Sequence, residues 1–149
     1  MARFEVEGLE KLTMDYHQLT RLPREVQDRM LNAGADVLAS AQRERAIDYD
    51  VWDPESSIHL ADSIQKTGCK TGKDGRVIYV YPQGERIRDG VTTRNAEIAF
   101  IAEFGRPGAN GKGKIAPRPF IRDANEEAEE VVVENMYQVY DEELEKLDL

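Results

Sequence analysis

The sequence predicts an α+β fold, a small antiparallel sheet packed with a long helix in the amino-terminal half and a long carboxy-terminal helix. Three observations lead there. Apolar residues recur at spacings of three and four in two long stretches, Val26, Met30, Ala33, Val37, Leu38 and Ala41 in one and Ile121, Ala124, Ala128, Val131, Val132, Met136, Val139, Leu144 and Leu147 in the other, which is the period of a helix with one buried face. The run Val77-Ile78-Tyr79-Val80-Tyr81 is β-branched and aromatic, as strands prefer. The 149 residues, 40% hydrophobic and 33% charged, suffice for one domain with its own core.

Taken in order, residues 4–7 alternate apolar and acidic and predict a short strand, and Leu9, Leu12, Tyr16 and Leu19 predict a helix to about residue 20. Pro23 fits the first turn of a following helix over 23–46, because proline is tolerated there and hostile to a helix interior. Gly34 lies within the apolar stripe of that helix, where glycine costs roughly 1 kcal/mol against alanine; close approach of another backbone would account for it. Residues 48–57, with Asp-Pro and paired serines, read as a loop. Strands follow over 62–70 and 76–81, joined through Thr71-Gly72-Lys73-Asp74-Gly75 as an antiparallel hairpin.

The stretch 82–90 breaks the pattern and suggests a projecting hairpin tip. Between Asn95, a good N-cap, and Gly105, a good stop, a helix is expected over 95–104 although Ile98, Phe100, Ala102 and Phe104 also alternate as in a strand. A basic glycine-containing loop over 106–116 precedes Pro117-Arg118-Pro119, and the last helix should begin near Phe120.

Charge is unevenly spread. The net charge is -9, with eleven acids and one base over 123–149 and twelve bases against five acids over 66–122. A lone Cys69 excludes an internal disulfide framework, and His17 and His59 give no metal-ligand spacing. No apolar run is long enough to span a membrane and the start carries no apolar signal core, so synthesis in the cytoplasm is expected.

Motifs that announce catalysis, such as Gly-x-Ser-x-Gly, His-Glu-x-x-His, Cys-x-x-Cys or a Gly-x-x-x-x-Gly-Lys-Ser/Thr loop, do not occur in the sequence. The reading is therefore not an enzyme, with no catalytic, cofactor or metal residues. Nucleic acid is the alternative partner: Arg86, Arg88, Arg94, Arg106, Lys112, Lys114, Arg118 and Arg122 cluster in the basic segment and could neutralise phosphates, which makes a DNA-binding accessory protein using residues 86–122 the runner-up. Against it stands the overall acidity, and the acidic last helix of an adjacent copy offers those loops another partner.

Four motifs then stand in order: Leu60-Ala61-Asp62-Ser63-Ile64, Glu103-Phe104-Gly105 followed by Arg106, the Gly/Lys loop, and Pro117-Arg118-Pro119-Phe120-Ile121-Arg122. Together with the Phe-x-Val-x-Gly-Leu-x-x-Leu start at 4–12, they resemble the tail-completion, or head-tail joining, family of lambdoid and related long-tailed phages over nearly the whole chain. The chain departs from that pattern at Ser57-Ile58-His59, at Arg106 and at Asp123. The resemblance implies a virion structural protein of the neck or upper tail, made in the host cytoplasm. It implies a ring of copies, a hexamer or a multiple of six, between the head connector or stopper and the tail tube or tail terminator, with non-specific contact with DNA in the channel and none with a membrane. Leu60, Ser63, Ile64, Glu103, Phe104, Gly105, Arg106, Pro117, Arg118, Pro119, Phe120 and Arg122 are then the expected interface and motif residues. Glu103 would be a carboxylate presented at a helix end; Phe104 and Phe120 are either interface anchors or core residues closing the last helix onto the sheet.

Overall fold

The computed structural model describes residues 23–51, 60–73, 75–88, 90–107 and 114–147. The expected strand over 4–7, the helix over 9–20, most of the loop over 48–57 and residues 108–113 of the basic loop lie outside these ranges. Helix α1 (Arg24–Asp48) buries Val26, Met30, Gly34, Leu38, Gln42 and Ala46, one residue in every four, with Ala35 and Ala39 beside them. Helix α3 (Phe120–Leu147) repeats the step with Phe120, Ala124, Ala128, Val132 and Met136.

The two helices pack antiparallel along these stripes. At one end Tyr49 donates its hydroxyl to Asp123 and Arg45 pairs with Glu127; at the other Arg29 pairs with Glu143. Between them a Cβ on Gly34 would lie 3.0 Å from Cγ and Sδ of Met136 and 3.2 Å from Cγ1 of Val132. The glycine is thus explained by two side chains of the partner helix, and the backbone approach expected from sequence is corrected.

After a 3-10 turn at Leu60–Ser63, four short strands make one long ribbon: β1 (Ile64–Lys66), β2 (Lys70–Gly72), β3 (Gly75–Val77) and β4 (Val80–Pro82), with β1 antiparallel to β4 and β2 to β3. Asp62 and Ser63, expected in a strand, belong to the turn, where the Ser63 hydroxyl donates to the Leu60 carbonyl at 2.6 Å. Lys66 faces Val80 and Lys70 faces Val77, so the outgoing strand carries one extra residue and the ribbon is bulged there. Thr67 bridges the gap, its amide donating to the Tyr79 carbonyl at 2.8 Å and its hydroxyl accepting from the Tyr79 amide at 3.1 Å. Ile64, Ile78 and Val80 are fully buried in the core shared with the helices.

Arg76 ties the ribbon to α1 through two 2.8 Å bonds to Asp28. The guanidinium holds the Asp28 carboxyl below the usual aspartate range, against the opposing effect of its partial burial.

Residues 85–88 form a strand where the sequence suggests only a loop. Strands β5 (Glu85–Arg88) and β6 (Val91–Arg94) pair as a hairpin across Asp89-Gly90, with Gly90 at φ 78, a two-residue connection of the type that favours Asp-Gly. The strands escaped notice because they mix arginine with threonine and bury little, so no apolar alternation marks them.

Helix α2 (Asn95–Phe104) has the expected bounds. Its periodicity is helical, with Asn95, Ala99, Ala102 and Glu103 buried, which settles the ambiguity with a strand. Asn95 is not its cap: Arg94 occupies that position without a side-chain bond to the helix's free amides. The Asn95 amide nitrogen of the side chain donates to the Gln83 carbonyl at 2.8 Å and its oxygen accepts from Arg86 at 2.9 Å, pinning the base of the β5–β6 hairpin instead. Two residue pairs, β7 (Arg106–Pro107) and β8 (Lys114–Ile115), then run antiparallel and bring the ends of the basic loop together. The molecule is α+β, its strands all antiparallel and paired two by two among the described residues. No described helix is long and apolar enough to cross a membrane.

Candidate functional site

The motif residues near the end of α2 and the start of α3 meet in one junction. Gly105 ends α2 with φ 71, and its amide donates to the Ile101 carbonyl at 2.7 Å. A Cβ at this position would fall 2.4 Å from the Ile115 carbonyl oxygen and 3.0 Å from the Pro117 nitrogen, so both conformation and space demand glycine. The chain then returns through β8, and the Arg118 amide donates to the Ala102 carbonyl at 2.6 Å, laying Pro117-Arg118-Pro119 against the end of α2.

This places Glu103 under the first turn of α3. Its Oε2 accepts from the Ile121 amide at 2.9 Å and its Oε1 from the Arg122 amide at 3.0 Å. A helix start leaves its first amides without partners inside the helix and carries a partial positive charge, and a carboxylate on two of them satisfies both needs. The segment preceding α3 supplies prolines, not a Ser, Thr, Asp or Asn cap, and the cap comes from another helix. Glu103 thus stands at the end of α2 with its carboxylate buried and engaged inside the fold.

Arg118 performs the matching role at the other helix terminus. Its Nη1 donates to the carbonyls of Tyr49 at 3.1 Å and Asp50 at 3.0 Å, where α1 ends with carbonyls no longer bonded within the helix. One short motif therefore fixes the end of α1, the end of α2 and the start of α3 together.

The two phenylalanines part ways. Phe120 has no exposed surface and belongs to the core with Leu60 and Ile64, which resolves that residue as a core closure. Phe104 is 63% exposed and Phe100, one turn earlier, 55%; their ring centroids are 4.8 Å apart. Beside them lies a hollow of about 270 Å³ lined by Tyr81, Pro82, Phe100, Glu103, Phe104, Ile121, Arg122 and Asn125, among others. Arg122 reaches the surface, 3.3 Å from Asp123, and Arg106 is exposed. Pro119 is half-buried and Pro117 exposed.

Of the motif residues, Glu103 to Arg106 and Pro117 to Arg122 thus form one junction, whereas Leu60, Ser63 and Ile64 serve the turn and the core beneath it. Phe100 was missed as a surface feature because its place in the alternating stretch reads equally as core; its i, i+4 relation to Phe104 was the available signal. Among the described residues no group of three or more His, Cys, Asp or Glu side chains is placed to hold a metal ion. Glu103 and Arg118 are engaged by backbone amides and carbonyls, which makes the junction a device for fixing helices, with an aromatic face beside it. No family model, no curated protein and no solved structure matches this chain.

Proposed function

We propose that this chain is a structural subunit of the neck or upper tail of a long-tailed phage, a ring component that completes the tail and joins it to the head connector. The observation that carries the reading is the junction. Two of the motifs on which the family resemblance rests, Glu103 to Arg106 and Pro117 to Arg122, meet in it, and its carboxylate and guanidinium are spent on helix ends, while Phe100 and Phe104 project beside it. An assembly subunit needs a rigid scaffold that offers an apolar surface to a neighbour. The partners under this reading are copies of the same chain and the head and tail components on either side.

The alternative of a DNA-binding accessory protein draws on cations of the basic segment, and among the described residues Arg86, Arg94, Arg118 and Arg122 are bonded within the fold. A salt-dependent mobility shift on DNA separates the two readings. The direct test is a phage in which the gene is deleted. Under the structural reading, DNA-filled heads and unjoined tails accumulate, and a reconstruction of wild-type particles contains the chain in the neck or upper tail; normal particles without the gene product overturn it.

A further inference from the structure

We propose that the exposed Phe100–Phe104 pair of one subunit docks into the groove between α1 and α3 of a second copy, a head-to-tail contact; the proposal rests on the reading of the chain as a self-assembling subunit. The aromatic pair has a basic edge. Arg122 borders the hollow beside it and is 63% exposed, sharing its charge with Asp123 at 3.3 Å, and the exposed Arg106 follows Phe104 by two residues. The one exposed acid of α2, Glu97, is paired with Arg94 at 2.9 Å.

The groove has the opposite character. Its floor is apolar, from Val37 and Ala41 of α1 and Val131 of α3, the last 45% exposed. Its walls carry Glu44 and Glu127, and Glu134, three residues beyond Val131 and its neighbour on the helix surface, is exposed. Asp36 and Glu127 share their charge with Lys66 and Arg45, but α3 from 123 to 147 has ten acids against the single base Lys146. An apolar ridge edged by arginines therefore meets an apolar trough edged by carboxylates, the arrangement that sets register and orientation between partners.

Geometry selects a second copy over the chain's own groove. On α3 the hollow beside the aromatic pair is bordered by Ile121, Arg122 and Asn125, and the groove by Glu127, Ala128 and Val131. At 100° per residue these sets point about 120° apart around the helix. Two different surfaces on one subunit make a heterologous contact, which closes into a ring when the rotation allows.

The experiment uses the full chain with Phe104→Glu or Val131→Glu, both at exposed positions, and sedimentation velocity over a concentration series. Each variant melts as the parent does, and each self-associates at least ~30-fold more weakly, as expected on losing an apolar anchor at the centre of an interface. Mixed in equal amounts, the two variants form dimers and nothing larger, because the intact ridge of one fits the intact groove of the other and the remaining surfaces are both disabled. Oligomers that persist in either single variant, or a mixture that stays monomeric, overturn the contact. A parent chain that is monomeric at every concentration also overturns it. None of these results removes the chain from the particle, so the structural reading falls only by the deletion and reconstruction described above.

Discussion

The two long helices are built alike and begin differently. Both follow a proline, Pro23 before α1 and Pro119 before α3, and both bury one residue in four. Yet α1 begins with no side-chain cap, while the first turn of α3 is held by Glu103 from another helix. Along the seam between α1 and α3, the close neighbours of Gly34 are the side chains of Met136 and Val132. At the junction, backbone meets backbone and a carboxylate, and little can move. Position in the fold is therefore set at the junction, and the seam supplies bulk burial.

The comparison is sharpened most by Phe120→Ala. The ring is fully buried beside the junction, and its loss should cost about 3–5 kcal/mol in urea-induced unfolding. A cost below ~1 kcal/mol would contradict its place in the core. The same chemical change at two glycines then tests junction against seam. Gly105→Ala forces a left-handed residue, about 1–2 kcal/mol, and drives a methyl into the Ile115 carbonyl, a further ~1–3 kcal/mol.

Removing the cap comes next. Glu103→Ala leaves two half-buried amides without their charged acceptor and should lower stability by roughly 1–3 kcal/mol. Glu103→Gln keeps one acceptor oxygen and should lose about half of that, with hydrogen exchange accelerating first in the opening turn of α3. Equal protection of that turn in all three proteins would remove the tertiary cap from the account.

A pH series probes the tether between ribbon and α1. Arg76 depresses the Asp28 carboxyl in the folded state; the group therefore contributes stability above the ordinary aspartate pKa near ~4, and that contribution is lost as pH falls through the lower folded value. Asp28→Asn should be less stable than the parent at pH 7, with the gap closing on acidification. A gap that widens in acid would contradict the sign. The smallest effect is expected at the seam: Gly34→Ala gains up to about 1 kcal/mol of helix propensity and must displace Met136 and Val132, whose side chains can turn aside, so the net change in melting stays within ~1 kcal/mol.

Much of this architecture was legible beforehand. The periodic stripes located α1 and α3, the stop at Gly105 located the end of α2, and the β-branched run located the ribbon, because each is a local pattern repeated over several turns or residues. The β5–β6 hairpin showed in the sequence only as a projecting tip over 82–90, since its strands bury little and so carry no apolar alternation. Asn95 was misassigned for a related reason: an asparagine suits a cap or a cross-link equally, and only the neighbouring strand decides.

At the candidate site the division is sharper. The sequence by itself determined that Glu103, Gly105, Pro117 and Phe120 belong to ordered motifs, because turn geometry, proline restriction and aromatic bulk are properties of the residues. It could not say that Glu103 caps a helix beginning seventeen residues later, that Arg118 closes the end of α1, or that of two phenylalanines one is buried and the other bare. Those outcomes depend on which chain segments are brought together. Hydrogen-bond donors and apolar surface are assigned their partners by distance in space, and separation along the chain does not encode it.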